Sequence, residues 1–316
     1  YANFGAFDRE WKLAETTAAT LDPLHVRIQT KFAALNPIDY KLAQYGAHSY
    51  HRTPTEAAPF VVGFDAAGIV VEVGADISEF HVGDEVYTCT PIEAFGSIAE
   101  YFAVDAKYVA TKPKNFDFKN AAGVPLACLT SYQSLFTYGK VVAGERVVVL
   151  GGSSSCGMFA VQLAKAVGAH VVATSSTRNF ELVKSLGADK VVNYTKEKWF
   201  GGMDEHSVDV ILDCGFDSQS WNNEAQKILR KGTGRFVTLS YNFAQDPVDS
   251  PIDAKLISIF CVASGTDLCE ITALIEKGQV RSVVDSVFPM DKLIEATSKL
   301  QKGSLSGKVI IEVAKE

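Results

Sequence analysis

A chain of 316 residues with 47% hydrophobic and 21% charged side chains can bury a sizeable core, and its length points to about two domains. A formal charge of −7 excludes a general phosphate-backbone binder, so nucleic acid is not expected as the main partner, while a local basic pocket for one anionic cofactor stays open. No apolar run is long enough to cross a bilayer, and no membrane partner is expected.

The stretch Tyr1 to Trp11 carries neither an Arg-rich amphipathic pattern nor a signal-peptide core. The expected location is cytoplasmic, or mitochondrial if a targeting segment upstream has been removed. Leu24 to Thr111 is rich in short β-branched runs, among them His25 to Thr30, Gly68 to Val73 and Glu85 to Thr90, separated by glycines and turns. This predicts an antiparallel β-domain. His48 and His51 lie in a Tyr-rich loop, Tyr45 to Arg52, that reads as solvated.

From Phe118 the rhythm changes to alternating helix and strand. Lys119 to Tyr138 is helical in parts, Arg146 to Leu150 is a continuous apolar strand, and Met158 to Val167 repeats apolar residues at helical spacing. Strands follow at His170 to Ala173, Lys190 to Asn193, Val208 to Asp213, Arg235 to Leu239 and Ile257 to Val262, with helices at Phe180 to Leu186 and Ser220 to Leu229. Continuous apolar strands between amphipathic helices predict a doubly wound parallel sheet covered on both faces. A helix near Asp291 to Gln301 and a strand near Lys308 to Val313 close the chain, and that strand can return to the first domain.

The strand Arg146 to Leu150 runs into Gly151-Gly152-Ser153-Ser154-Ser155-Cys156-Gly157 and then a helix, the context in which a glycine-rich loop holds a pyrophosphate. The spacing departs from G-x-G-x-x-G. Gly151 suits the tight turn and Gly157 close helix packing, while the serine hydroxyls can donate to phosphate. A serine-rich turn without a ligand is the competing reading.

About 20 residues on, an NAD site places a carboxylate at the end of the second strand. Here the strand ends in Ser175, Ser176, Thr177 and Arg178, with no acid before Glu181. That favours the 2′-phosphate of NADPH, with Arg178 as a merely solvated residue the alternative. Cys214, Leu239 and Ser240 end later strands on the ligand side of the same sheet, or are ordinary strand-end punctuation. The cysteines Cys89, Cys128, Cys156, Cys214, Cys261 and Cys269 form no CxxC pair and read as reduced, mostly buried thiols.

Several segments, in this order and spacing, carry a resemblance. They are Ala34 to Lys41, Gly63 to Gly68, Val82 to Tyr87, Gly96 to Tyr101, Ala121 to Leu126 with Leu129 to Tyr132, Val161 to Lys165, Leu186 to Asp189 with Asn193-Tyr194, and Gly307 to Val309. Over nearly its whole length the chain resembles the zinc-less quinone oxidoreductase branch of the medium-chain dehydrogenase/reductase superfamily. The resemblance implies a GroES-like β-rich catalytic domain from 1–117 and 267–316, a Rossmann NADP-binding domain over 118–266, and an active site in the cleft between them. At the positions of the zinc ligands in metal-dependent relatives stand Asn36, Phe64 and Leu126, so no metal is expected.

The same resemblance places Asn36 and Thr130 near the nicotinamide and substrate. Asp39 and Lys41 pair with each other or position substrate, and Tyr45 is a donor or a packing aromatic. Ser175 and Tyr194 match 2′-phosphate positions, whereas Asn179 stands where relatives carry a lysine that Arg178 can replace. Further cofactor contacts are implied at Phe260, Val262 and Lys308, and a homodimer through edge strands near Ile257 to Ala263. The expected function is NADPH-dependent hydride transfer to a small electrophilic acceptor, a quinone or an α,β-unsaturated carbonyl. An NADPH-binding interaction or stress-response protein with little turnover is the alternative.

Overall fold

The computed structural model describes residues 1–18, 20–46, 53–94, 96–240, 243–303 and 305–314. In chain order these hold α1 (Phe7–Glu10), β1 (His25–Leu35), α2 (Pro37–Tyr45), β2 (Asp65–Val73), β3 (Glu85–Cys89), β4 (Tyr101–Asp105), β5 (Val109–Thr111), α3 (Phe118–Ala122) and α4 (Pro125–Tyr132). A π-helical turn, Gln133–Tyr138, extends α4. Then come β6 (Arg146–Leu150), α5 (Ser155–Ala166), β7 (His170–Ser175), α6 (Phe180–Ser185), β8 (Lys190–Asn193), β9 (Val210–Asp213), α7 (Ala225–Ile228), β10 (Arg235–Thr238) and β11 (Lys255–Ser258). The chain closes with α8 (Gly265–Glu276), β12 (Val284–Pro289), α9 (Leu293–Lys302) and β13 (Lys308–Glu312).

The chain forms two compact units. One comprises Tyr1–Leu126, Val262–Glu276 and Ser282–Glu316; the other comprises Ala127–Cys261 and Lys277–Arg281. The sequence reading set boundaries at 117/118 and 266/267. They fall elsewhere because α3 packs on β1 and β2, and α8 packs on β5 with Leu268, Ile271 and Ile275 buried.

The first unit is built on a seven-stranded sheet of order β12-β13-β1-β2-β3-β5, with β4 also pairing β1. At 11 residues β1 is long enough to serve two partners along one edge: His25 to Gln29 pairs β4, and Phe32 to Leu35 pairs β13. Its burial alternates over its first half and is continuous over the second, where sheet and helices cover both faces. The pairings are antiparallel except that of β12 with β13, which is parallel and brings in a strand the periodicity did not single out. Leu35, Val62, Ile98, Val309 and Ile311 form one core cluster and Val26, Ile28, Val70, Val86 and Val104 another.

The second unit is a six-stranded parallel sheet of order β11-β10-β9-β6-β7-β8. Val147 to Leu150 is almost wholly buried, as expected of a strand covered on both faces. The strand order reverses between β6 and β9, and a ligand of such a sheet binds outside the carboxyl ends of the strands at this point. Two expected elements differ. Ser220 to Leu229 is broken into a 3₁₀ turn, Ser218–Asn222, and α7. The last strand is β11 rather than Ile257 to Val262, because pairing of Arg235 with Lys255 and Thr238 with Ser258 fixes its position.

Candidate active site

In the second unit the loop after β6 is shaped by contacts that leave no room for side chains. Gly151 turns with φ +75°, and a Cβ there would lie 2.8 Å from Gly215 Cα, just past the end of β9. A Cβ on Gly157 would collide with Gly151 O and lie 2.9 Å from Gly152 Cα. Gly151, Gly157 and Gly215 therefore let β6, β9 and α5 close up at the switch point. Ser154 caps α5, its Oγ accepting from the Gly157 N–H at 3.0 Å, while Ser153, Ser155 and Cys156 flank it half-buried. The first-turn amides and dipole of a twelve-residue helix thus face the loop, the arrangement that attracts a pyrophosphate. From α4, Ser131 Oγ donates to Cys156 O at 2.7 Å and pins the helix start.

Ser175, Ser176, Arg178, Tyr194, Cys214, Leu239 and Ser240 lie at the carboxyl edge of this sheet. Ser175 ends β7, and Tyr194, just past β8, donates its N–H to Ser175 O at 3.2 Å. Asn193 Nδ2 donates to Thr177 Oγ1 at 2.7 Å, tying the turn that carries Ser176 and exposed Arg178 to β8. Asn179, at the position of the missing lysine, is buried. Cys214 follows β9, its N–H donating to Leu150 O, and Leu239 and Ser240 follow β10. Buried Asp213 braces this edge by accepting from Gly215 N–H at 3.1 Å, Asp217 N–H at 2.9 Å and Thr238 Oγ1 at 2.8 Å. Its burial raises the carboxyl above its ordinary range, and these three bonds oppose that rise. Burial likewise pushes the Cys128 and Cys214 thiols well up, marking them as inert. Thr130 is buried on α4, where its carbonyl accepts from Ser134 Oγ at 2.6 Å.

In the first unit the register of β1 assembles a charged cluster. Ala34 pairs with Asp65 and Leu35 with Val309, so Asn36, the next residue, meets both Asp65 and Lys308. Asn36 Nδ2 donates to Asp65 Oδ2 at 2.9 Å, and Lys308 Nζ donates to Asn36 Oδ1 at 2.5 Å and to Asp65 Oδ2 at 3.3 Å. Asp65 Oδ1 accepts the Leu126 N–H at 2.8 Å. Asp39 Oδ2 accepts the Asn36 N–H at 2.6 Å at the start of α2, and its Oδ1 has no hydrogen-bond partner among the described residues. All four side chains are at most 4% exposed. Burial pushes the Asp39 carboxyl up to about 8; the Asn36 N–H opposes the shift, nearby Asp65 adds to it and Lys308 reduces it. Burial raises Asp65 as well, against the pull of Lys308 and the hydrogen bonds it accepts.

Several expectations change here. Asp39 and Lys41 do not pair: two positions apart on a helix they face different ways, Asp39 buried and Lys41 exposed. Tyr45 is not a packing aromatic but 71% exposed at the end of α2. Lys308, expected at the cofactor, is turned onto Asn36 and Asp65. Phe260 and Val262 are both largely exposed and belong to different units. His48 and His51 lie outside the described residues.

The chain matches the alcohol dehydrogenase GroES-like domain family over residues 22–114 and the zinc-binding dehydrogenase family over residues 186–311. A 2-methylene-furan-3-one reductase of Solanum lycopersicum is 35% identical over 98% of this chain and 77% of its own length. The chain belongs to the medium-chain dehydrogenase/reductase superfamily. It is an oxidoreductase of that superfamily. A chloroplastic NADPH-dependent alkenal/one oxidoreductase of Arabidopsis thaliana is 34% identical over 98% of this chain and 78% of its own. The crystal structure of an alcohol dehydrogenase superfamily protein from Novosphingobium aromaticivorans superposes with a TM-score of 0.85 at 25% identity, covering 99% of both chains. Membership accounts for the parallel sheet and implies a nicotinamide cofactor. Sequence reasoning missed Asp65. Its only signal was a carboxylate inside the apolar run Phe64-Asp65-Ala66-Ala67, which a strand end tolerates only with a partner.

Proposed function

We propose that this protein is an NADPH-dependent, zinc-independent reductase of quinones or α,β-unsaturated carbonyls. The observation that carries the reading is the end of β7, where Ser175, Ser176 and Arg178 stand without a carboxylate beside the glycine-walled switch point. An acid there would repel a 2′-phosphate. Arg178, which makes no ion pair among the described residues, has its guanidinium available to bind it. The relatives named for NADPH-dependent alkenal/one and 2-methylene-furan-3-one reduction support the acceptor class.

When bound, NADPH supplies the hydride that an electron-poor carbon of the acceptor takes up. The chain's part is to hold and orient. Gly151, Gly157 and Gly215 let the loop backbone close on β9 and the start of α5, and the first turn of α5 supplies donors and dipole for the pyrophosphate. Ser175, Ser176, Arg178 and Tyr194 surround the 2′-phosphate position; Cys214, Leu239, Ser240 and Phe260 line the carboxyl edge toward the nicotinamide half. Asn36 orients the acceptor as a neutral hydrogen-bonding group. The residues present do not suit zinc. Phe64 and Leu126 offer no donor side-chain atom, and Asn36 Oδ1 and Asp65 Oδ2 accept from an ammonium. We also assign a homodimer through β11, the edge strand next to exposed Phe260 and Val262.

Calorimetric titration with NADPH and NADH, followed by a steady-state screen of quinones, enones and enals, tests the reading. Tighter NADPH binding and NADPH oxidation with at least one acceptor class are expected, with no stoichiometric zinc in dialysed protein. Absence of NADPH binding sinks the proposal, and binding with a silent panel turns it toward an interaction role. Sedimentation tests the dimer.

A further inference from the structure

Three polar groups of Asn36, its backbone N–H and both ends of its side-chain amide, are each engaged by a different buried ionisable side chain. The backbone N–H donates to Asp39 of α2, Nδ2 donates to Asp65 of β2, and Oδ1 accepts from Lys308 of β13. Burying two carboxyls and an ammonium is costly even when they are paired, and apolar side chains of similar volume hold elements together at least as well. Charges supply what apolar packing lacks, which is direction. An ammonium is stable only at the oxygen end of an amide and a carboxylate only at its nitrogen end, so the Asn36 amide has a single orientation.

In that orientation one hydrogen of Nδ2 is committed to Asp65. The other points to Ala34 O at 3.4 Å, beyond the usual length of such a bond and readily exchanged for a better acceptor. We infer that Asp65 and Lys308 are positioning residues that lock the Asn36 amide so that its second Nδ2 hydrogen is presented to the oxygen of the acceptor. The inference rests on the reductase reading above. It also assigns Lys308 a role through Asn36 instead of a direct contact with cofactor.

Lys308→Met, Lys308→Arg, Asp65→Asn and the double variant Lys308→Met/Asp65→Asn, each made in the wild type and in Asn36→Ala, test the inference. kcat and KM are measured with an acceptor the wild type turns over, and the NADPH Kd by titration. Lys308→Met is expected to lower kcat by about 100-fold, the scale of a small misplacement of a catalytic group, with the NADPH Kd unchanged. Lys308→Arg recovers part of the loss. In Asn36→Ala the same substitution costs less than about threefold, because the route through the amide is gone. Should a single variant fail to fold, the double variant decides, since it leaves no unpaired buried charge and still loses the direction of the amide.

A folded double variant with wild-type kcat overturns the inference, as do losses that multiply fully in the Asn36→Ala background. A raised NADPH Kd with kcat retained also overturns it, in favour of cofactor contact. Failure of the wild type to bind NADPH or reduce any acceptor is a separate result, seen before any variant is made. That result removes the reductase reading and this inference together.

Discussion

Adding one methyl group at Gly157 probes the proposed pyrophosphate loop most directly. The Cβ of Gly157→Ala would collide with Gly151 O and stand 2.9 Å from both Gly151 C and Gly152 Cα. That is ~0.6 Å short of the ~3.5 Å at which carbon atoms pack best. The colliding atoms are backbone, so no rotamer change relieves them, and the loop must move away from the start of α5. Overpacking of this kind costs about 1–3 kcal/mol of stability. Displacing the loop also misplaces the donors meant for the pyrophosphate, and a hydrogen bond to a charged group is worth about 1.5–3 kcal/mol. One such bond lost weakens NADPH by about 10- to 100-fold. Calorimetry gives the Kd, and urea unfolding of the same preparation separates the loss of stability from the loss of binding. A Gly157→Ala protein with wild-type stability and NADPH affinity would refute the loop assignment, because the backbone approach it depends on would then be dispensable.

Arg178→Ala is expected to weaken NADPH more than NADH by about 1–3 kcal/mol, the value of a charge-assisted contact; equal effects on the two cofactors place Arg178 outside the site. Asp213→Ala removes the acceptor for two amides and the Thr238 hydroxyl, so about 3 kcal/mol of stability should be lost, and an unchanged urea midpoint contradicts this. Asp39, raised from 3.8 to about 8, keeps in the folded state a proton that the unfolded chain releases. Its contribution to stability therefore falls as pH rises from about 4 to about 8 and is flat beyond. Asp39→Asn lacks that component while Asp65 and Lys308 remain beside it, so the variant should gain on the wild type across this window; a stability difference independent of pH argues against a raised Asp39.

The sheet of the second unit was legible because its information is local. Arg146–Leu150 carries four successive apolar residues and Lys190–Asn193 a Val-Val core between polar ends, and the limits of both strands match those expected. The glycine loop was legible for the same reason, since strand, turn and helix follow one another directly. Where apolar residues run on without punctuation, as from Leu256 to Val262, composition does not mark a strand's ends, and pairing with β10 selects Lys255–Ser258. Asn222 ends the 3₁₀ turn and Asn223 follows it before α7, where the sequence predicts a single helix; residues of this type compete with the helix through local hydrogen bonds.

The charged cluster was not legible as a cluster. Asn36 stood out by resemblance and Lys308 was assigned to the cofactor, while Asp65 passed unnoticed in an apolar strand. What joins them is the place of β1 between β2 and β13, which brings Lys308 to a residue 272 positions away and Asp65 to one 29 away. Legible in the chain alone were the kind of fold, a glycine loop between strand and helix and a strand end free of acid, all properties of neighbouring residues. Which charges are buried and what each one holds follows from contacts between distant segments. The free energy of a buried charge depends on its partner and on exclusion from water, and sheet register sets both across the whole length of the chain.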